Sequence, residues 1–267
     1  LVEREPCDIR CDLPGFRTGR VRVRCGGVSL GRFCHEEVRM PDGSNIIGRG
    51  VYPVATAAKL LRMPSARIRS WVYGNGSSPV LVSDLPPEGG QDALSFINLI
   101  EVLFLSELRG QGISLQSIRA MIEKARKLMG TEHPFAIRQF HTDGKAIWIE
   151  TAEATGDRRL VDLTDGNGAM LEVLERSFRK SVSFDQLTGT ASQWRPNADQ
   201  PRVILDPARR FGRPIDGGTG IPTEVLADAL RAEGGDVALV AKLWEVPTDA
   251  VEQAAEFELW VNRRAAA

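Results

Sequence analysis

The chain is short of the side chains that most chemistry needs. Its 267 residues include four cysteines and three histidines, and no cysteine follows Cys34. A disulfide framework spanning the fold is thereby excluded. Cys7, Cys11, Cys25 and Cys34 lie near His35, but paired zinc ligands stand two to four residues apart and only Cys7 and Cys11 approach that spacing. No metal is expected. The other histidines, His133 and His141, join no constellation. The glycine-rich stretch "GRPIDGGTGIP" at 212–222 matches neither phosphate-binding glycine pattern and has no lysine. No enzyme and no cofactor are therefore expected. No apolar run reaches the roughly 18–20 residues of a membrane span, and no basic-then-apolar signal segment is present. A cytoplasmic protein that does not engage membranes is expected.

An excess of charge is also missing, since the formal net charge is −1. Its distribution is uneven. Residues 1–150 hold 20 Lys and Arg against 16 Asp and Glu, whereas residues 151–267 hold 14 against 19. A polyanionic partner would meet the N-terminal half. Residues 1–39 contain eight Arg, no Lys and no sustained apolar period. Residues 1–45 are expected to be a disordered leader outside the fold, with Met40 as a possible true start.

What is present begins with "YPVATAAKLLRMPSARIRSWVYG" at 52–74. Residues 53–61 read as a helix opened by Pro53, Pro64 breaks the pattern, and Ser65 is placed to cap a second helix over 66–73. Its buried face is expected at Ile68 and Val72, with Trp71 and Tyr73 as core or wing supports. Residues 74–90 are turn-rich with one β-like run at Val80–Val82, as a wing would be. An apolar helix follows at 94–109, ended by "GQG", and Ser114 caps a helix over 115–129 with a stripe of Leu115, Ile118, Ile122, Ala125 and Met129. Two alternating runs around Asp143-Gly144 predict a β-hairpin over 135–151. Strands are expected at 159–163, 181–184 and 202–205, and a short helix near 169–176. Three short helices at 223–233, 236–244 and 248–261 close the chain.

The order of elements over 52–129, with "GISLQSIRAMIEKARKL", resembles a MerR-type winged helix-turn-helix. The tail pattern Gly212, Pro214, Gly218, Thr219, Ile221, Pro222 and Thr223 resembles a small helical domain of antitoxins that pair with PIN-domain, VapC-type ribonucleases. VapB-type antitoxins joining such a head to such a tail are similar to the chain over roughly residues 46–262. Gly220 departs from the pattern, which usually has Arg there. The resemblance implies an α+β protein with four parts: the leader 1–45, a winged head over 46–130, an antiparallel β region over 131–205 and a trihelical domain over 206–264. It also implies double-stranded DNA, a PIN-domain toxin and a second copy of the chain as partners.

Within a helix-turn-helix, the second helix meets base edges and the turn before it meets phosphates. Arg67 and Arg69 diverge by about 200° on a helix, so they cannot read one base together. Arg67 is the expected base reader, and Lys59, Arg62, Ser65 and Arg69 the expected backbone contacts. The last helix carries Asp249, Glu252, Glu256 and Glu258, which phosphates would repel, and so its unit suits protein contact. Arg209, Arg210 and Arg213 around Phe211 combine basic groups with an aromatic anchor and are the expected toxin contact. The combined expectation is an antitoxin that neutralises the ribonuclease and represses its own operon. The alternatives are a MerR-type regulator with a ligand-sensing C-terminal half, and a scaffold whose helical hairpins are all core.

Overall fold

Backbone chemistry sets the first elements as the sequence suggests. The computed structural model describes residues 48–76, 78–85, 92–164 and 178–263, and these all lie in the unit spanning Ser44–Ala267. Strand β1 (Tyr52–Pro53) runs directly into α1 (Val54–Leu60), and Arg62 then turns the chain with a left-handed φ of 51°. Helix α2 (Ser65–Val72) follows, burying Ile68, Trp71 and Val72. Ser65 is its first helical residue rather than its cap; Pro64 holds the cap position and no side chain bonds there. The two-residue β2 (Ala93–Leu94) pairs antiparallel with β1, Tyr52 opposite Leu94.

Two long helices build the main core. Helix α3 (Phe96–Gly110) begins at Ser95, whose hydroxyl accepts from the Asn98 amide, and α4 (Leu115–Met129) begins at Ser114 in the same way. Gly130 ends α4 with a left-handed cap. Beyond a 3-10 turn at Pro134–Ala136 lie α5 (Arg138–Asp143), α6 (Lys145–Thr155) and α7 (Arg158–Thr164).

This helical stretch overturns the expected hairpin over 135–151 and the expected strand at 159–163. The buried residues of α6 are Ile147, Trp148, Thr151 and Ala152, a spacing of one and four that belongs to a helix. Gly144 has a φ of −72°, outside the left-handed region that a two-residue hairpin turn needs. Here Gly144 joins two helices, and its amide donates to the Phe140 carbonyl at 3.2 Å. The expected helix near 169–176 lies outside the described residues. Residues 80–82 form no strand; the Val80 and Leu81 amides instead donate to the carbonyl of Trp71.

The expected strands at 181–184 and 202–205 are present as β3 (Val182–Phe184) and β5 (Val203–Leu205). Strands β4 (Ala191–Trp194) and β6 (Pro214–Asp216), unforeseen in the sequence, complete an antiparallel sheet of order β3-β4-β5-β6. The tail is trihelical: α8 (Thr223–Ala232), α9 (Val237–Leu243) and α10 (Thr248–Asn262). The fold class is therefore α+β, as expected.

Phe104 stands at the centre of the main core, with Phe135, Phe140, Trp148 and Phe178 edge-on around it at 4.9–6.2 Å. His141 is buried against the same rings, and burial holds its imidazole down at about 4. It is a neutral core residue whose Nε2 lies 2.8 Å from the Phe135 carbonyl. A smaller core gathers Leu226, Val240, Val251 and Ala254 within the tail.

One charge is buried inside α3. Glu101 is fully enclosed, with one carboxylate oxygen 2.9 Å from Nδ1 of His133 and the other without a partner among the described residues. Burial raises the Glu101 carboxyl, and Glu101 raises the His133 imidazole against the opposing effect of its own burial. Both shifts are upward, so each group favours folding when protonated: the contribution of Glu101 falls as pH rises above the ordinary carboxylate range, and that of His133 as pH rises above the ordinary histidine range. A His133→Ala variant should lose on the order of 3 kcal/mol, because it strands a buried carboxylate. Urea unfolding between pH 5 and 8.5 should show the wild type losing stability towards alkali and a Glu101→Gln variant, which removes both the raised carboxyl and the cause of the raised imidazole, losing that slope. A slope unchanged in the variant would contradict this assignment.

Candidate nucleic-acid and protein interfaces

The five residues expected at DNA are not equally placed. Arg67 is exposed on the first turn of α2 and makes no side-chain hydrogen bond or ion pair among the described residues. Arg69 extends from the opposite side of α2 and pairs with Asp92 at 2.8 Å. Both arginines are exposed, and they diverge as their spacing requires. Ser65 lies half-buried at the head of the helix.

Lys59 and Arg62 point to the tail. The Lys59 ammonium donates to Oδ1 of Asn262 at 3.0 Å, and Arg62 donates to the Trp260 carbonyl at 3.0 Å. The Arg62 guanidinium also lies 5.1 Å from the centre of the Trp260 ring, within cation–π range. Two of the expected phosphate contacts are thus engaged at the C-terminal end of α10, where the helix dipole favours cations. These contacts join residues about 200 positions apart, and no local pattern announces them.

The tail loop is built around its backbone. Arg210 and Phe211 both adopt left-handed φ values, 48° and 57°, which are uncommon for such side chains. Gly212 follows at 80°, and a Cβ there would fall 2.2 Å from the Tyr52 hydroxyl. That hydroxyl donates to the Gly212 carbonyl at 2.8 Å, pinning the loop to β1. The consequence is an outward Phe211 side chain, 67% exposed, on a fixed backbone.

The loop arginines separate into three states. Arg209 turns inward, donating to the Gly217 carbonyl at 3.0 Å. Its guanidinium also fills the space over Gly220, where a Cβ would lie 2.6 Å from Nη2. Arg213 pairs with Glu224 at 2.6 Å in an exposed bridge. Arg210 alone of the three is exposed without a side-chain partner among the described residues. Behind the loop, Asp216 accepts from Arg202 and from the amide and hydroxyl of Thr219, each at 2.7 Å. These bonds hold its carboxyl low against the opposing effect of burial. Asp216 is accordingly an anchor for the turn into α8.

Beside Phe211 lies a groove of about 500 Å³ bounded by β1, the start of α1, β6, α8 and α10. The sequence shows Glu258 only as one of the acidic residues of the last helix and does not join it to Glu224, because nothing local brings them together. Glu258 accepts from the Thr223 hydroxyl at 2.5 Å. Burial raises its carboxyl, and the nearby Glu224 and Asp228 carboxylates raise it further. Among the described residues no group of three or more His, Cys, Asp or Glu is arranged to hold a metal ion, and no helix is long and apolar enough to cross a membrane.

No protein-family model matches the chain. A Mycobacterium tuberculosis (strain H37Rv) protein described as a candidate antitoxin, VapB45, is 27% identical over 223 residues, covering 76% of this chain and 92% of that protein. The crystal structure of Rv2018 from Mycobacterium tuberculosis matches with a TM-score of 0.61 at 25% identity, over 76% of this chain and 96% of the other. The chain is similar to a candidate antitoxin across almost the whole of that relative's length.

Proposed function

We propose that this protein is a VapB-type antitoxin that binds DNA through its head and a PIN-domain ribonuclease through its tail, repressing its own operon. The observation that carries the reading is the likeness to VapB45, which covers 76% of this chain and 92% of that protein. The short α4 adds support against a MerR-type regulator. That regulator would use a long dimerising helix after the head, whereas α4 stops at Met129 with a left-handed Gly130. Residues 46–130 form the DNA-binding part of the proposal, 131–205 the connecting part and 206–264 the toxin-binding part, acting as a homodimer in the cytoplasm.

The unpartnered Arg67 is the base-reading residue of this proposal. Arg69 reaches phosphate by leaving Asp92, Ser65 stands at the start of the same helix, and Lys59 and Arg62 join the contact only by leaving Asn262 and Trp260. Arg67→Ala should cost about 1–3 kcal/mol of binding to a fragment of the protein's own promoter and relax selectivity at one base pair. Arg69→Ala should weaken all sequences alike and reduce the salt slope by about one. Fluorescence anisotropy over a range of salt concentrations measures both. If neither variant changes affinity or salt slope, α2 does not face DNA.

At the tail, Phe211 and Arg210 present the exposed part of the toxin contact, with Arg209 shaping the loop from within and Arg213 at its edge. Aromatic anchors of this kind dominate interface energies, and a Phe211→Ala variant of the full chain should bind the PIN-domain protein encoded beside it about 2 kcal/mol more weakly. Calorimetric titration would show the loss. Unchanged affinity, in a variant that melts like the wild type, would move the toxin contact elsewhere.

A further inference from the structure

The groove beside Phe211 has a chemistry opposite to that of the loop arginines. Its apolar surface comes from Tyr52, Pro53, Phe211 and Pro214, and its acidic end from Glu224 and Glu258. A volume of about 500 Å³ is in the range of sites that enclose a ligand or a large side chain. The walls are fixed. Phe211 stands on left-handed backbone pinned by Tyr52, and Pro53 and Pro214 have no freedom in φ.

The charges facing the groove do not balance. Glu224 and Glu258 line the groove from α8 and α10, while Asp228, whose charge also reaches Glu258, is itself paired with Arg231 at 2.8 Å. Of the nearby cations, Arg213 is committed to Glu224 at 2.6 Å, and Lys59 bonds the neutral Asn262 at 3.0 Å and acts on Glu258 only through space. Among the described residues, the Glu258 carboxylate has only the Thr223 hydroxyl as a hydrogen-bond donor. The upward pressure on its carboxyl from burial and from its acidic neighbours is what a countercharge at this place would relieve.

We propose that this groove receives an arginine side chain from a partner protein, its stem lying along Pro53 and Pro214 and its guanidinium between the Phe211 ring and the Glu258 carboxylate. Arginine fits better than lysine. A planar guanidinium stacks on an aromatic face and bonds a carboxylate through two parallel N–H groups, and its stem covers apolar surface. That the partner is the PIN-domain ribonuclease rests on the antitoxin reading; the affinity of the groove for arginine does not. Partner recognition then runs in both directions across one loop, with Arg210 offered outward and an arginine accepted alongside.

The test uses the isotope-labelled full chain and N-acetyl-arginine amide as probe, followed by NMR. Saturable shifts confined to Tyr52, Phe211, Thr223, Glu224 and Glu258 are expected, with N-acetyl-citrulline amide, uncharged but nearly the same shape, giving none. Glu258→Gln should weaken the arginine probe roughly tenfold, the scale of one charge-assisted bond. Glu224→Gln provides a second variant on a different helix, with unchanged spectra elsewhere as the folding control. Absence of shifts, equal shifts with citrulline, or full affinity in both variants would overturn the proposal. In a parallel arm the wild type and both variants are titrated with the neighbouring PIN-domain protein. Weaker binding by the variants supports the arginine as the ribonuclease's own, and equal binding overturns that assignment of the occupant. A ribonuclease that the wild type itself ignores defeats the antitoxin reading alone, because the arginine probe reports on the groove independently.

Discussion

One helix belongs to two cores, and the arrangement of the protein depends on it. Ala250, Val251 and Ala254 of α10 pack within the small tail core beside Leu226 and Val240. A turn later Phe257 is fully buried in the main core, and Trp260 and Val261 lie against it. Truncating a phenylalanine so enclosed costs about 3–5 kcal/mol, a large part of a typical domain's stability. The register of α10 therefore fixes three things together: the tail on the head, Glu258 in the groove, and Trp260 with Asn262 over Arg62 and Lys59. The sheet reinforces the join, because β5 lies before the tail and β6 within it, with Ile204 paired to Ile215.

This shared helix shapes how charge is distributed. The head has more basic residues than acidic ones, yet structural partners occupy several of those on α1, α2 and the turn between them. Lys59 and Arg62 serve the end of α10, and Arg69 serves Asp92. Arg67 remains open. In the tail loop the same division recurs, with Arg209 folded inward, Arg213 bridged to Glu224 and Arg210 open. A cation already paired must lose that pair before it meets a new anion, so the open residue on each face carries the first contact in the proposed function.

Much of the helical framework was legible because its punctuation is strong. Ser114 and Gly130 bound α4 at the expected residues, and the three tail helices fall within two residues of their expected limits. The stretch from 135 to 164 was misread for a physical reason. Short runs such as "KAIWIET" satisfy alternation and helical spacing together, and Asp143-Gly144 carries a turn signal whether it joins strands or helices. Tertiary packing around Phe104 decides between them. The acidic groove and the tail-to-head contacts were not legible at all, because they depend on residues of β1, α1, α8 and α10 that meet only in the fold. Glu101 did leave a trace in the sequence, a lone carboxylate inside "FINLIEVLFL" whose immediate neighbours Leu99, Ile100, Val102 and Leu103 favour burial.

The central claim is that one molecule carries a DNA face and a ribonuclease face at the same time. Light scattering coupled to size-exclusion chromatography tests it most directly, using the full chain, a fragment of its own promoter and the proposed PIN-domain partner. The account predicts a single species containing all three, heavier than either binary complex. A ribonuclease that elutes free while the chain stays on DNA, or DNA left unbound by the chain, would contradict it.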